Sequence, residues 1–356
     1  MPVSWIVRSS VTVISLAVAA LAGCGGDGSE STNESPAIKP GSGGEPLTVA
    51  AAGDFGIEAA GVATLEAMAK LKPDVYLALG DFSYAGPTSA PRFCDLVRSK
   101  IGPVAPFEIV SGNHEEDPGE DGPLDDFSRC LPDRLHAEGD YGRQYYVDLG
   151  RLVRFIMISP DLTIDGVHYY YGESDDGRAN TRLGWLRATI DQARAAGIEW
   201  IVVGMHKNCI SVGIYYCDVY QDLFSTLIDK KVDLVLSGHD HTYQRSKQIT
   251  APRNRCNTVI VDRFDPDCVV DDDDSYRQGA GTTFVVSGAA GAPLYPLNAN
   301  DPEAGYFAAT MGNNSGNRHG FTNLTISPRK LAVRFVGSAP GSFADRFEIA
   351  SEDAGP

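Results

Sequence analysis

Five short motifs recur along the chain, each closing an apolar run: Gly53-Asp54-Phe55-Gly56, Gly80-Asp81-Phe82-Ser83-Tyr84, Gly112-Asn113-His114-Glu115, Val203-Gly204-Met205-His206 and Gly238-His239-Asp240-His241. Together they offer two carboxylates (Asp54, Asp81), one phenol (Tyr84), one amide (Asn113) and three imidazoles (His206, His239, His241). Such oxygen and nitrogen donors are enough to hold two metal ions side by side. A lone Gly-Asp or a lone histidine says little. Seven ligand-type residues in five matching positions make one candidate site. His136 and His168 lie outside any such motif and read as surface or hydrogen-bonding residues.

The elements that must position these residues are legible in the same stretches. The runs Leu47–Ala52, Val75–Leu79, Phe107–Val110 and Val153–Ile158, with 200–203 and 234–236, are short and rich in branched residues, as buried strands require. Between them Val62, Leu65 and Ala69 recur at helical spacing, as do Leu183, Leu186, Ile190 and Ala193, and Tyr220, Phe224 and Leu227. Strands alternating with helices predict a layered α/β domain with helices outside a central sheet. Loops leaving the carboxyl ends of such strands converge on one crevice, which is where the five motifs fall. The later runs 282–287, 324–327 and 331–336 have no intervening helix and are expected to be antiparallel strands completing a second sheet. With no internal repeat and no second linker, one domain over 47–349 is expected, followed by a tail, 350–356.

The 356 residues are 43% apolar and carry a formal charge of -17. That charge argues against a nucleic-acid or anionic-membrane surface, where basic patches do the binding. Arg8, the apolar stretch 11–21 and Leu21-Ala22-Gly23-Cys24 resemble a bacterial lipoprotein signal peptide over 1–23, too short to span a bilayer. Cys24 is then the lipidated first residue, and 24–46, rich in Gly, Ser, Glu and Pro, a flexible tether. An extracytoplasmic, cell-envelope protein touching the membrane only through its lipid is expected. The other six cysteines form an even set in an exported chain and allow 15 connectivities. Loop closure favours Cys94 with Cys130, Cys209 with Cys217 and Cys256 with Cys268. The acidic run 271–274 lacks EF-hand spacing and reads as a solvated loop.

On the five motifs, the chain resembles the metallophosphoesterase superfamily and, within it, the purple acid phosphatases, from Asp54 through His319-Gly320-Phe321. The resemblance implies a four-layer α/β/β/α sandwich with a dimetal site at the carboxyl ends of the strands. It implies that Asp54, Tyr84 and His241 bind a ferric ion, that Asp81 bridges, and that Asn113, His206 and His239 complete a divalent site for iron, zinc or manganese. Most superfamily members have a histidine where this chain has Gly56, and Tyr84 supplies instead a hard anionic oxygen suited to trivalent iron. Five positive charges offset by Asp54, Asp81 and Tyr84 leave roughly +2, which draws a small phosphate-ester dianion to an acidic protein. The implied reaction is acid phosphatase hydrolysis of monoesters by a metal-bound hydroxide, with His114 beside the phosphate as the catalytic residue; Glu115 could orient a neighbouring group.

Two departures qualify the resemblance. Many members carry a further substrate-side histidine where this chain reads Tyr215-Tyr216, which leaves substrate and preferred pH open. A compact form without the additional N-terminal β-domain of large plant-type enzymes is also expected. Phosphodiester or nucleotide hydrolysis on the same core is the nearest alternative, and a non-catalytic lipoprotein binding metal or phosphate the more distant one.

Overall fold

The computed structural model describes residues 45–173 and 180–351. The expected signal peptide, Cys24, the tether through residue 44 and the end of the tail, 352–356, lie outside the described residues. Two mixed sheets form the centre, with strands numbered along the chain. The first has the order β14 (Ser275–Arg277), β19 (Arg346–Ala350), β18 (Lys330–Gly337), β17 (Gly320–Ser327), β1 (Leu47–Ala52), β2 (Val75–Leu79), β3 (Phe107–Val110). The second runs β16 (Phe307–Met311), β11 (Tyr243–Ser246), β15 (Thr283–Ser287), β10 (Leu234–Ser237), β9 (Trp200–Gly204), β6 (Val153–Ile158), β5 (Gln144–Leu149), β4 (Glu138–Asp140). Two small antiparallel pairs stand apart, β7 (Thr163–Ile164) with β8 (Val167–His168), and β12 (Gln248–Ile249) with β13 (Val269–Asp271).

Alternation along each strand explains the layering. Val49, Ala51, Leu77 and Leu79 from the first sheet pack with Phe155, Met157, Val202 and Leu236 from the second. Their neighbours Ala50, Ala52, Tyr76, Ala78, Ile156, Ile201 and Val203 belong instead to the core beneath the helices. Strands buried on both faces read as continuous apolar runs, as these do. Trp200 is buried between the sheets and joins them, its indole N–H donating to the Ser327 carbonyl at 2.7 Å.

The helices cover the outer faces, giving the four layers. α1 (Ala59–Leu71), α2 (Ala90–Lys100) and α3 (Leu124–Cys130) lie over the first sheet; α4 (Thr181–Ala195) and α5 (Gln221–Asp229) lie over the second. In α4 the expected stripe of Leu183, Leu186, Ile190 and Ala193 is the buried face, and Asn180 caps the first turn by accepting from the Leu183 amide at 2.8 Å. Leu65 and Met68 anchor α1, which ends at Lys72 in a left-handed turn. Leu223, Phe224 and Leu227 bury α5, while Tyr220 sits just before it at φ 73 rather than within it.

Two features differ from the sequence reading. β17 and β18 extend the first sheet rather than a second one, and β15 is parallel to β10 and antiparallel to β11. The three early and three later strands of the alternating pattern are thus shared between two sheets. Apolar periodicity marks a strand buried on both faces but carries no information on which neighbour it pairs with. The disulfides are Cys94–Cys130, which ties α2 to α3, Cys209–Cys217 and Cys256–Cys268.

Candidate metal centre

All five motifs lie at the carboxyl ends of strands, three from the first sheet (β1, β2, β3) and two from the second (β9, β10). The loops must approach closely there, within the first sheet and between the sheets, and glycine permits it. A Cβ on Gly112 would fall 2.1 Å from Asp81 Oδ1, and one on Gly238 would fall 2.8 Å from Asp54 Oδ2. Asp54, Asp81, Tyr84 and His239 all sit at positive φ, between 52° and 69°. Non-glycine residues persist in that region only where the surroundings over-determine them, and such residues cluster at functional sites.

The donors fall into two groups that share Asp81. On one side the Tyr84 hydroxyl lies 3.0 Å from Asp54 Oδ1, 2.9 Å from Asp81 Oδ2 and 2.8 Å from His241 Nε2. The hydroxyl has one proton for three acceptors. His241 commits its Nδ1–H to the Pro293 carbonyl at 2.9 Å, which leaves Nε2 as a lone pair. On the other side His206 Nε2 lies 3.3 Å from Asp81 Oδ1, 3.1 Å from Asn113 Oδ1 and 3.2 Å from His239 Nδ1. His206 donates from Nδ1 to the Leu79 carbonyl at 2.7 Å, and His239 Nε2 faces Asp218 Oδ2 at 3.3 Å. Both imidazoles therefore turn their remaining ring nitrogens towards the same point. Single donor atoms of Asp81, His206 and His239 lie within 4.8 Å of one another. Carboxylate, amide and phenol oxygens converging with ring nitrogens fit cations, which would displace the protons that Tyr84 and His206 otherwise carry, so the residues present suit a metal pair, with Asp81 touching both halves.

Electrostatics point the same way. Burial opposes charge on His206, yet Asp81 outweighs it and holds the imidazole at about 9. Burial likewise opposes charge on His241, but the Asp54 carboxylate draws it above the usual range. Asp81, despite burial, is held well below the carboxylate range by His206 and His114. His239 is lowered by burial against the pull of Asp218. Burial, then Asp54 and Asp81, push the Tyr84 phenol well above its ordinary value, so it keeps its proton until a cation displaces it.

His114 borders this arrangement. Its ring is 4.2 Å from that of Tyr84, its Nε2 is 3.8 Å from Asp81 Oδ2 and its Nδ1 is 3.3 Å from Asp121 Oδ2. Burial opposes its charge, but Asp121 and Asp81 raise it to about 9. Asp121 also accepts from the amides of Tyr84, Ala85 and Gly86 at 2.6, 2.9 and 3.0 Å. Glu115, fully buried, accepts from the amides of Asp81, Phe82 and Gly112 at 3.0, 2.9 and 2.9 Å. It clamps the loops after β2 and β3 together. Tyr215 overhangs the site, its ring stacked on that of His239 at 3.8 Å, and Tyr295 stacks on His241 at 4.0 Å.

Asp121, Asp218 and Tyr295 were not singled out in sequence. Asp121 and Tyr295 lie in loops without a motif. Asp218 had one local signal, its position beside Cys217, which closes the loop bearing Tyr215.

A two-sheet sandwich with this donor set at its strand ends defines a metallophosphoesterase. Residues 47–243 match the calcineurin-like phosphoesterase family, and the chain belongs to it. Its relatives include purple acid phosphatases. Purple acid phosphatase 21 of Arabidopsis thaliana is 30% identical over 241 residues, 64% of this chain and 50% of that protein. Purple acid phosphatase 18 of the same plant is 26% identical over 234 residues, 64% of this chain and 49% of that one. The chain therefore spans about half the length of these relatives. Among solved structures, the purple acid phosphatase PPD1 from yellow lupin (Lupinus luteus) seeds shares the fold with a TM-score of 0.64 at 18% identity, covering 88% of this chain and 55% of that one.

Proposed function

We propose that this chain hydrolyses phosphate monoesters outside the cytoplasm, using a ferric ion paired with divalent iron, zinc or manganese. The observation that carries the proposal is the division of the donors by Asp81, with the Tyr84 phenol in one half and the facing ring nitrogens of His206 and His239 in the other. Asp54, Tyr84 and His241 would hold the trivalent ion, since phenolate and carboxylate oxygens suit a hard, highly charged metal. Asn113, His206 and His239 would hold the divalent ion, and Asp81 would bridge. Such a pair supplies Lewis-acid polarisation of phosphate oxygens and activation of water.

The surrounding residues orient and protonate. Glu115 fixes the two loops that carry Asp81, Tyr84 and Asn113. Asp121 pairs with His114 on its Nδ1 side and turns Nε2 towards the site, where it can bind a phosphate oxygen or give a proton to the departing ester oxygen. A catalytic domain over 47–349, tethered by 24–46 to a lipid on Cys24, completes the proposal. Three disulfides suit an oxidising compartment, and no helix among the described residues is long and apolar enough to cross a membrane.

The test is turnover of a phosphomonoester, a phosphodiester and a nucleotide on one purified sample of measured metal content. Monoester turnover at least about tenfold above diester turnover is expected. Faster diester or nucleotide turnover would replace the monoesterase reading with one of those activities.

A further inference from the structure

The loop after β9 is closed by the Cys209–Cys217 bond and contains Ile214, Tyr215 and Tyr216. It is held before any ligand arrives. The Ser211 amide donates to Glu303 Oε2 at 3.1 Å, the Val212 amide to Gln244 Oε1 at 2.8 Å and the Ile214 amide to Asp240 Oδ1 at 3.0 Å. Tyr215 and Tyr295 back an imidazole on each side of Asp81, and their own rings meet edge to face at 6.0 Å and 67°. Beside Tyr215, Ile214 and Tyr216 are 46% and 74% exposed, so the rim next to the metal donors is apolar and wet.

Its charge is equally selective. The segment from Cys209 to Cys217 contains no lysine or arginine. Lys207, the cation just before it, donates to the carbonyl and carboxylate of Asp161, both at 2.9 Å. Asp218 faces His239, and Glu120 lies 3.9 Å from His114 Nδ1. Beyond the metal donors, a second anionic group would meet carboxylates. A flat uncharged group would meet an ordered aromatic surface that loses little entropy on binding it.

We infer that Tyr215, with Tyr295 beside it, forms a specificity-determining wall for the ester's leaving group and favours flat, uncharged aromatic groups over charged ones. This rests on the phosphatase reading above. Non-hydrolysable phosphonates separate the two claims because they measure binding without turnover. Calorimetry on the metal-loaded protein should find naphthylmethylphosphonate bound roughly five- to tenfold tighter than methylphosphonate, with a sulfonated naphthyl analogue losing that gain. Tyr215→Phe should keep the ratio, and Tyr215→Leu should bring it below about twofold at unchanged metal content. Equal wild-type affinities for the two phosphonates would overturn the inference whether or not Tyr215→Leu sheds metal. So would a ratio that survives in metal-loaded Tyr215→Leu, a ratio that collapses in Tyr215→Phe, or undiminished binding of the sulfonated analogue. Failure of either phosphonate to bind would overturn the phosphatase reading as well.

Discussion

His206 Nε2 faces His239 Nδ1 at 3.2 Å, while the other nitrogens of the two rings are turned to the Leu79 carbonyl and the Asp218 carboxylate. Without a metal, a proton on His206 Nε2 bridges the two nitrogens, and a metal ion held by both rings would take that proton's place. The backbone contributes as well, since His239 is kept at φ 69 with its amide donating to Asp54 Oδ2 at 2.9 Å. A carboxylate from the other half of the site thus fixes a histidine of this half.

It follows that His206→Ala or Asn113→Ala should weaken the divalent position selectively, by at least about tenfold in metal affinity, while the trivalent ion stays. Metal analysis of the purified variants checks this. Equal loss from both positions, or full retention of both, would refute the assigned division of ligands.

His114→Ala should lower kcat by about 10²- to 10³-fold at unchanged metal content. Asp121→Asn tests how His114 is tuned. The Asp121 carboxylate is one of the groups that raise His114, so neutralising it should lower the pKa of His114 and move the alkaline limb of the kcat/KM profile to lower pH. A profile that does not move would remove Asp121 from that role and leave it only as an acceptor for the loop amides.

Away from the site, burial and then the neighbouring Asp133 raise Glu108 on β3 from 4.5 to about 8. The folded protein keeps this proton over a range in which the unfolded chain has released it. Its contribution to stability is full below about 4.5 and is lost as pH rises towards about 8. Glu108→Gln should therefore flatten the fall in stability over that window and gain on the order of 5 kcal/mol relative to wild type at its alkaline end. Urea unfolding of both proteins across the window measures it, and parallel pH curves would show that Glu108 is not the group responsible.

The residues that converge on the candidate site were legible because each follows its strand closely, so an apolar run and its last glycine locate the candidate ligand. Gly56 and Tyr84 could be read together for the same reason. The partners that orient those donors were not legible. Asp121 reaches Tyr84 and His114 from the loop before α3, and Tyr295 reaches His241 from the loop after β15. No local spacing encodes either contact. α2 was also missed, although Phe93 and Val97 have helical spacing, because the surrounding polar residues dilute its apolar stripe. The sharing of strands between two sheets depends on pairings such as Val49 with Leu324, far apart in the chain, and these leave no periodic trace.

The proposed function places an iron ion against the Tyr84 oxygen. The most direct measurement is the visible absorption spectrum of the aerobically purified protein beside that of Tyr84→Phe, with iron determined on both. A tyrosinate-to-iron charge-transfer band in the wild type and its loss in a folded Tyr84→Phe protein are expected. An iron-loaded wild type without the band, or a band that persists unchanged in Tyr84→Phe, would contradict the account.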